Sequence, residues 1–178
     1  MKKQLKLFQL YSNSYQTTLS KLNEYFPDRM VIFPNNVVGI QYDFRENRMY
    51  QIIDKVYELN LDISDFIFNS VRMYQILKKA VCNNISIKIM LDTSDSDEDY
   101  TQTIKAYLAK IEYGDTTMIT NLISELKWLR DEERIEIESI DLHINDSNVF
   151  GRITLFYNGT VLFDESVLGI MKSLIELI

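Results

Sequence analysis

The chain is poor in the residues that several kinds of functional site require. Its 178 residues include one cysteine, one histidine, two prolines and five scattered glycines. A disulfide-stapled scaffold needs more cysteines, a Cys/His zinc site needs about four such ligands, and a phosphate-binding loop needs clustered glycines. These absences exclude the disulfide-rich, zinc-finger and P-loop classes, and we expect no cofactor.

Long hydrophobic runs are also missing. A membrane span needs about 20 apolar residues, and the apolar N-terminal segment is interrupted by Lys6 and Gln9. No small-residue cleavage site follows it, so the segment is not typical of a signal peptide. The sequence therefore predicts a cytoplasmic protein with no membrane partner. Its richness in Ile, Asn, Lys and Tyr is typical of AT-rich bacterial or phage genomes.

Negative charge is what the chain has in excess. It contains 26 Asp and Glu against 19 Lys and Arg, for a formal net charge of −7. Residues 92–99 hold five of these acids and no base, so the rest of the chain has a formal charge of only −2. The acidity is therefore mostly a local property of one segment.

The hydrophobic periodicity predicts an α+β fold with a largely antiparallel sheet packed against several helices. The predicted order of elements is β-α-β-β-α-α-β-α-α-β-β-β-α. No linker or internal repeat divides the chain, so we predict a single domain over residues 1–178. Asn158-Gly159 is a strong turn signal and predicts a C-terminal β-hairpin, followed by a helix.

Three local patterns allow sharper predictions. The alternation of Ile135 and Ile137 has the opposite parity to that of Ile140 and the residues after it, which predicts a β-bulge near Ser139 because a strand face has a period of two. A two-residue turn in the hairpin pairs Leu155 with Leu162. A buried central helix is predicted with an inward stripe: Ile67, Val71, Tyr74, Leu77 and Val81.

The acidic run is the first candidate site. Asp95, Asp97 and Asp99 match the first three ligand positions of an EF-hand loop, but Tyr100 and Ala106 stand where that loop needs Gly and Glu. The alternatives are a solvated loop that complements the dipole of the next helix and an acidic contact surface. The candidate partner-binding residues of the run are Asp92, Asp95, Asp97, Glu98 and Asp99.

The second candidate is a row of polar residues near the C-terminal strands. Asp141 and His143 share one strand face, and Glu136 and Glu138 precede them. A carboxylate beside an imidazole is a possible metal pair or acid/base pair, so a metal-dependent enzyme is the alternative function. The simpler interpretation is the polar outer face of a sheet. No nucleophile constellation is recognisable, and no catalytic residue is assigned.

Aromatic residues are numerous, but no basic stripe runs between them, and a phosphate backbone is repelled by net negative charge. We therefore expect no direct contact with nucleic acid. Trp128 falls outside the apolar stripe of its predicted helix. It is either an exposed anchor for a protein partner or a residue packed against the sheet.

The sequence thus favours an acidic, intracellular protein-interaction module whose partner is another protein with a basic surface. In size, acidity and element pattern the chain resembles small immunity or antitoxin-type proteins and phage-encoded inhibitors. That resemblance is one of class and implies an immunity protein, an inhibitor or a subunit of a defence complex. A third possibility is a structural subunit that oligomerises through its apolar C-terminal helix.

Overall fold

A computed structural model describes residues 2–43, 45, 48–93, 98–146, 149–176 and 178. Within these residues the protein is an α+β domain built on one antiparallel sheet with the strand order β2-β3-β1-β8-β7-β6-β5, and β4 pairs with the remaining part of β1. The strands are β1 (Lys2–Leu10), β2 (Met30–Ile32), β3 (Val37–Tyr42), β4 (Ile63–Asp65), β5 (Ser86–Leu91), β6 (Ile137–Asp146), β7 (Val149–Phe156) and β8 (Thr160–Asp164).

Six α-helices pack on this sheet within the described part of the chain. They are α1 (Tyr15–Tyr25), α2 (Met49–Glu58), α3 (Ser70–Cys82), α4 (Glu98–Glu112), α5 (Met118–Trp128) and α6 (Leu168–Ile175). The predicted fold class, the C-terminal hairpin of β7 and β8 and the helix that follows it are confirmed.

The predicted bulge is present in β6. Met90 pairs with Ser139, but its neighbour Leu91 pairs with Ile137, so Glu138 has no partner on β5. The free carbonyl of Glu138 instead accepts a hydrogen bond of 3.0 Å from the backbone N–H of Tyr157. The extra residue allows Ile137 and Ile140 to be buried on the same side despite their opposite parity.

The predicted hairpin register is wrong by one residue. Leu155 pairs with Val161 rather than with Leu162, because the turn contains three residues, 157–159. Gly159 has a φ of +80°, and its N–H donates to the carbonyl of Phe156 at 3.0 Å. A three-residue turn that ends in a left-handed glycine is a common hairpin type, and the dipeptide alone does not exclude it.

The predicted stripe of the central helix is partly wrong. Ile67 and Val71 are exposed. Ile67 precedes α3, which begins only at Ser70, and Val71 lies in the first turn of the helix. The segment before it pairs with β1 as β4, a strand that the periodicity did not predict. Helix α3 is nevertheless central, and its buried side chains are Met73, Tyr74, Ile76, Leu77, Ala80 and Val81.

The core consists of two hydrophobic clusters on opposite faces of the sheet. Leu5 and Leu7 of β1 belong to the larger cluster, whereas Phe8 and Leu10 belong to the smaller. The larger cluster contains side chains of α3, α5, α6 and β5–β8, and the smaller one contains side chains of α1 and α2 over β1, β3 and β4. The β1 end of the sheet is therefore covered on both faces.

Lys6 is a charged residue that lies in the interior of the fold. Its side chain is only 3% exposed, and its Nζ lies 3.1 Å from Oδ1 of Asp65. The ammonium also donates to the carbonyl of Asn158 at the hairpin tip. Lys6 therefore lies where two strands meet along one edge of β1, since β8 begins at Thr160 opposite Lys6 and β4 ends at Asp65 opposite Phe8. We call this junction the seam.

Candidate functional site

One face of strands β5–β8 is polar, and we call it the open face. It continues the face that α1 and α2 cover at the β1 end, since Lys6 pairs with Thr160 and Leu162 pairs with Thr154 across the intervening strands. On the open face, by contrast, Met90 and Phe150 are exposed. This is the outer sheet face that the spacing of Asp141 and His143 predicts.

Asp141 occupies the middle of the open face in an ion pair. Arg152 on the neighbouring strand donates Nε to Oδ1 at 3.0 Å and Nη2 to Oδ2, and Thr154 also donates to the carboxylate. Partial burial tends to raise the pKa of Asp141, but these hydrogen bonds and the Arg152 charge outweigh it and hold that pKa below its usual value of 3.8. The carboxylate is therefore ionised and already bound to a cation.

The four residues of the alternative metal site do not form a ligand set. The described part of the chain contains no group of three or more His, Cys, Asp and Glu side chains placed to hold a metal ion. Glu136 is exposed just before β6, and Glu138 lies in the bulge. Asp141 and His143 share a face, as the spacing predicts, but the carboxylate faces Arg152.

His143 lies beside a cavity of about 320 Å³ at the far end of β5. It pairs with Ser86 across the strands, yet the Ser86 hydroxyl donates to Glu112 of α4 at 3.1 Å. The Nε2 atom of His143 is buried, and no described residue hydrogen-bonds to it. The serine and histidine are thus neighbours without the hydrogen bond that nucleophilic catalysis requires.

Trp128 is held at an exposed corner of the molecule. Its side chain is 43% exposed, and its ring makes an edge-to-face contact with Tyr100, with 5.9 Å between the centroids. Trp128 is the last residue of α5, and Tyr100 lies in the first turn of α4. Trp128 therefore packs against a neighbouring helix, and nearly half of its surface remains available.

The acidic run has a defined position in the fold at each of its described ends. The N–H of Asp92 donates to the carbonyl of Glu136 at 2.9 Å, and Asp99 lies in the first turn of α4 beside Tyr100. Asp92, Asp99 and Glu136 are exposed. Asp95, Asp97 and the side chain of Glu98 lie outside the described residues. We call Trp128, Tyr100, Asp92, Asp99 and Glu136 the acidic corner.

The hydrophobic periodicity did not predict that Trp128 contacts Tyr100, the residue that follows the acidic run. The amphipathic stripe of α5 indicates only that Trp128 lies away from Leu122 and Leu126, which are buried. Contact with Tyr100 depends on the packing of α4 against α5. The residues that sequence reasoning missed lie farther along α4, where Lys105 and Ala109 face β5 across a groove.

Comparison of the chain with protein-family models, with curated proteins and with solved structures finds no match. In the part of the chain that the structure describes, no helix has the length and apolar character needed to cross a membrane.

Proposed function

We propose that the chain is an intracellular protein-interaction module that binds a basic surface of another protein through the acidic corner. On this proposal the chain is an immunity protein, an inhibitor or a subunit of a defence complex. The observation that carries the proposal is the position of Trp128, which is partly exposed and fixed against Tyr100 beside exposed carboxylates.

A tryptophan in this setting has the properties of a binding anchor. Residues that contribute most to protein interfaces are enriched in Trp, Tyr and Arg and lie within a ring of less important contacts. The edge-to-face contact with Tyr100 restricts the indole ring before binding, so less side-chain entropy is lost when a partner covers it. Asp99 precedes Tyr100 in the first turn of α4 and adds an exposed carboxylate next to the aromatic pair.

The charge distribution supports a basic partner. Five of the acids that give the chain its net charge of −7 lie in residues 92–99, and both ends of this segment meet the acidic corner. Concentrated charge accelerates the encounter with an oppositely charged surface and disfavours partners of like charge. A cytoplasmic location, where many nucleic-acid-handling proteins expose basic surfaces, belongs to the same proposal.

Site-specific photocrosslinking in the native host tests the acidic corner directly. Benzoylphenylalanine replaces Trp128 in one variant and Tyr113 in the other. Tyr113 is the matched control because it is 93% exposed and lies just beyond the opposite end of α4. We expect a discrete adduct with one protein from position 128 and none from position 113. Equal adducts from both positions contradict the proposal.

A second variant tests the role of charge. Asp95→Asn, Asp97→Asn, Glu98→Gln and Asp99→Asn together remove four negative charges. We expect this variant to capture the crosslinked partner several times less efficiently at low salt, and its capture to depend less on salt than that of the parent chain. Unchanged capture and salt dependence exclude the run as the contact.

A further inference from the structure

The outer edge of β5 is an available template for strand pairing. β5 is the last strand of the sheet, and among the described residues its six positions form backbone ladder bonds only with β6. The opposite edge strand, β2, has only three residues. Proteins commonly shorten, kink or cover edge strands to prevent unwanted pairing. Here α4 lies beside the edge of β5, but no backbone hydrogen bond joins the two among the described residues.

A groove of about 450 Å³ runs between this edge and α4. Its α4 wall is a single stripe at helical spacing, made of Lys105, Leu108, Ala109 and Glu112. Its other wall is formed by β5, with Ser139 and Asp141 beyond it on the open face. The groove thus places the apolar side chains of Leu108 and Ala109 beside unpaired strand backbone.

The unpaired charges along the groove are positive. Lys88 and Lys105 are exposed, and neither forms an ion pair within the described residues. The two carboxylates of the groove are already engaged, since Glu112 accepts from Ser86 and Asp141 is bound by Arg152. An occupant that complements these charges carries carboxylates.

We propose that an extended acidic segment of a partner protein binds in this groove and pairs with the free edge of β5 as an additional strand. Main-chain hydrogen bonds supply affinity in this mode of recognition, and alternate side chains supply specificity. Apolar side chains of the segment face Leu108 and Ala109. Carboxylates on its other face lie next to Lys88, where opposite charges on neighbouring strands attract.

The inference rests on the proposed function in one respect, since both hold that the chain binds protein. The two proposals concern different surfaces: the acidic corner is proposed to bind a basic surface, whereas the groove is proposed to bind an acidic segment. The acidic corner lies at one end of α4, and the groove runs along the side of that helix. Failure of one site therefore leaves the other open to independent measurement.

The probe is a synthetic eight-residue peptide of alternating Glu and Val, compared with one of alternating Lys and Val. An alternating sequence presents the same face in every register, so no particular alignment is assumed. We titrate each peptide into the isotope-labelled full chain and follow backbone amide shifts. We expect the acidic peptide to shift Ile87, Ile89 and Ala109, and to bind more tightly than the basic peptide.

Two pairs of variants on α4 distinguish binding in the groove from general charge effects. Ala109→Trp fills the groove, whereas Ala106→Trp places the same ring at an exposed α4 position outside it. Lys105→Glu reverses a groove charge, and Lys110→Glu reverses an exposed charge outside it. We expect Ala109→Trp to weaken binding more than about tenfold and Lys105→Glu about threefold, with both controls near the parent chain.

Several results overturn the proposal. These are no shifts with the acidic peptide, equal binding of the basic peptide, or equal effects of Ala109→Trp and Ala106→Trp. A dimer of the free chain that only Ala109→Trp dissociates shows instead that a second copy occupies the edge. Trp128→Ala leaves peptide binding unchanged if the groove acts alone, and Ala109→Trp leaves crosslinking at the acidic corner unchanged.

Discussion

The two ends of the sheet differ in how many of their faces are covered. At the β1 end, α1 and α2 cover one face and the larger cluster lies against the other. At the β5 end the larger cluster covers one face, and the open face displays Asp141, Arg152 and Met90. One continuous sheet is thus a buried layer at one end and a surface at the other.

This difference explains why the two ends have different sequence patterns. β1 is apolar on both of its faces over residues 5–10, except at Lys6 and Gln9, because a strand between two layers contacts apolar groups on each side. β6 alternates buried and partly exposed residues after its bulge. The end that is covered on both faces buries its side chains, and the end that is half covered leaves polar side chains at the surface.

The largest expected loss of stability comes from truncating Phe8, and Phe150 at the other end of the same sheet face is the control. Phe8 is fully buried, whereas Phe150 is 65% exposed. We expect Phe8→Ala to lower the free energy of unfolding by about 3–5 kcal/mol, and Phe150→Ala to change it by less than about 0.5 kcal/mol. Urea unfolding of both variants measures this, and equal losses contradict the assignment of covered and open faces.

The seam between the two ends is expected to be the next most sensitive place. A Cβ at Gly159 overlaps the carbonyl oxygen of Phe66 and also requires a strained positive φ, whereas Gly114 has a positive φ with open space around it. We expect Gly159→Ala to cost about 3 kcal/mol or more and Gly114→Ala about 1 kcal/mol. Thermal melting compares the pair, and a cost no greater at Gly159 than at Gly114 is evidence against tight packing at the seam.

The smallest effect is expected from the ion pair on the open face. Because the pKa of Asp141 is lowered in the folded chain, its stabilisation is complete above the usual carboxyl pKa and is lost as the pH falls through the lowered value. We expect Asp141→Asn to cost about 0.5–1 kcal/mol near neutral pH, since the Arg152 side chain is 44% exposed. The difference is expected to shrink as the pH falls below the usual carboxyl pKa of 3.8.

Unfolding measured from pH 3 to pH 7 tests this dependence. The control is Asp54→Asn, which alters an exposed carboxylate on α2 and is expected to have little effect at any pH. A cost of Asp141→Asn that persists unchanged at pH 3 shows that the ion pair is not its source.

Local sequence patterns predicted most of the helices and strands, but they predicted fewer of the pairings between strands. The β6 bulge followed from a change of parity, which a single strand records by itself. The start of α3 did not follow from a local pattern. Residues 63–65 pair with β1 only in the folded sheet, and α3 therefore begins only at Ser70. The hairpin register likewise depended on contacts of residues 157–159 with β1 and β6, which a turn dipeptide does not encode.

The candidate surfaces show the same division. Sequence reasoning selected Trp128 and the acidic run separately, since an off-stripe tryptophan and a charge run are each visible in isolation. It did not connect them, because Tyr100 meets Trp128 only when α4 packs against α5. The groove beside β5 had no local signal, since Lys105 and Ala109 are ordinary residues on the outer side of an amphipathic helix.

The sequence by itself determined the α+β class, the parity of the strand faces and the concentration of negative charge, because periodicity and composition are properties of short segments. Only the tertiary structure decided that Lys6 is buried, since its partner Asn158 is 152 positions away along the chain. It also decided that one strand edge stays free beside a helix. Such features depend on which distant segments become neighbours, and that choice is made when the apolar faces of the whole chain are buried together.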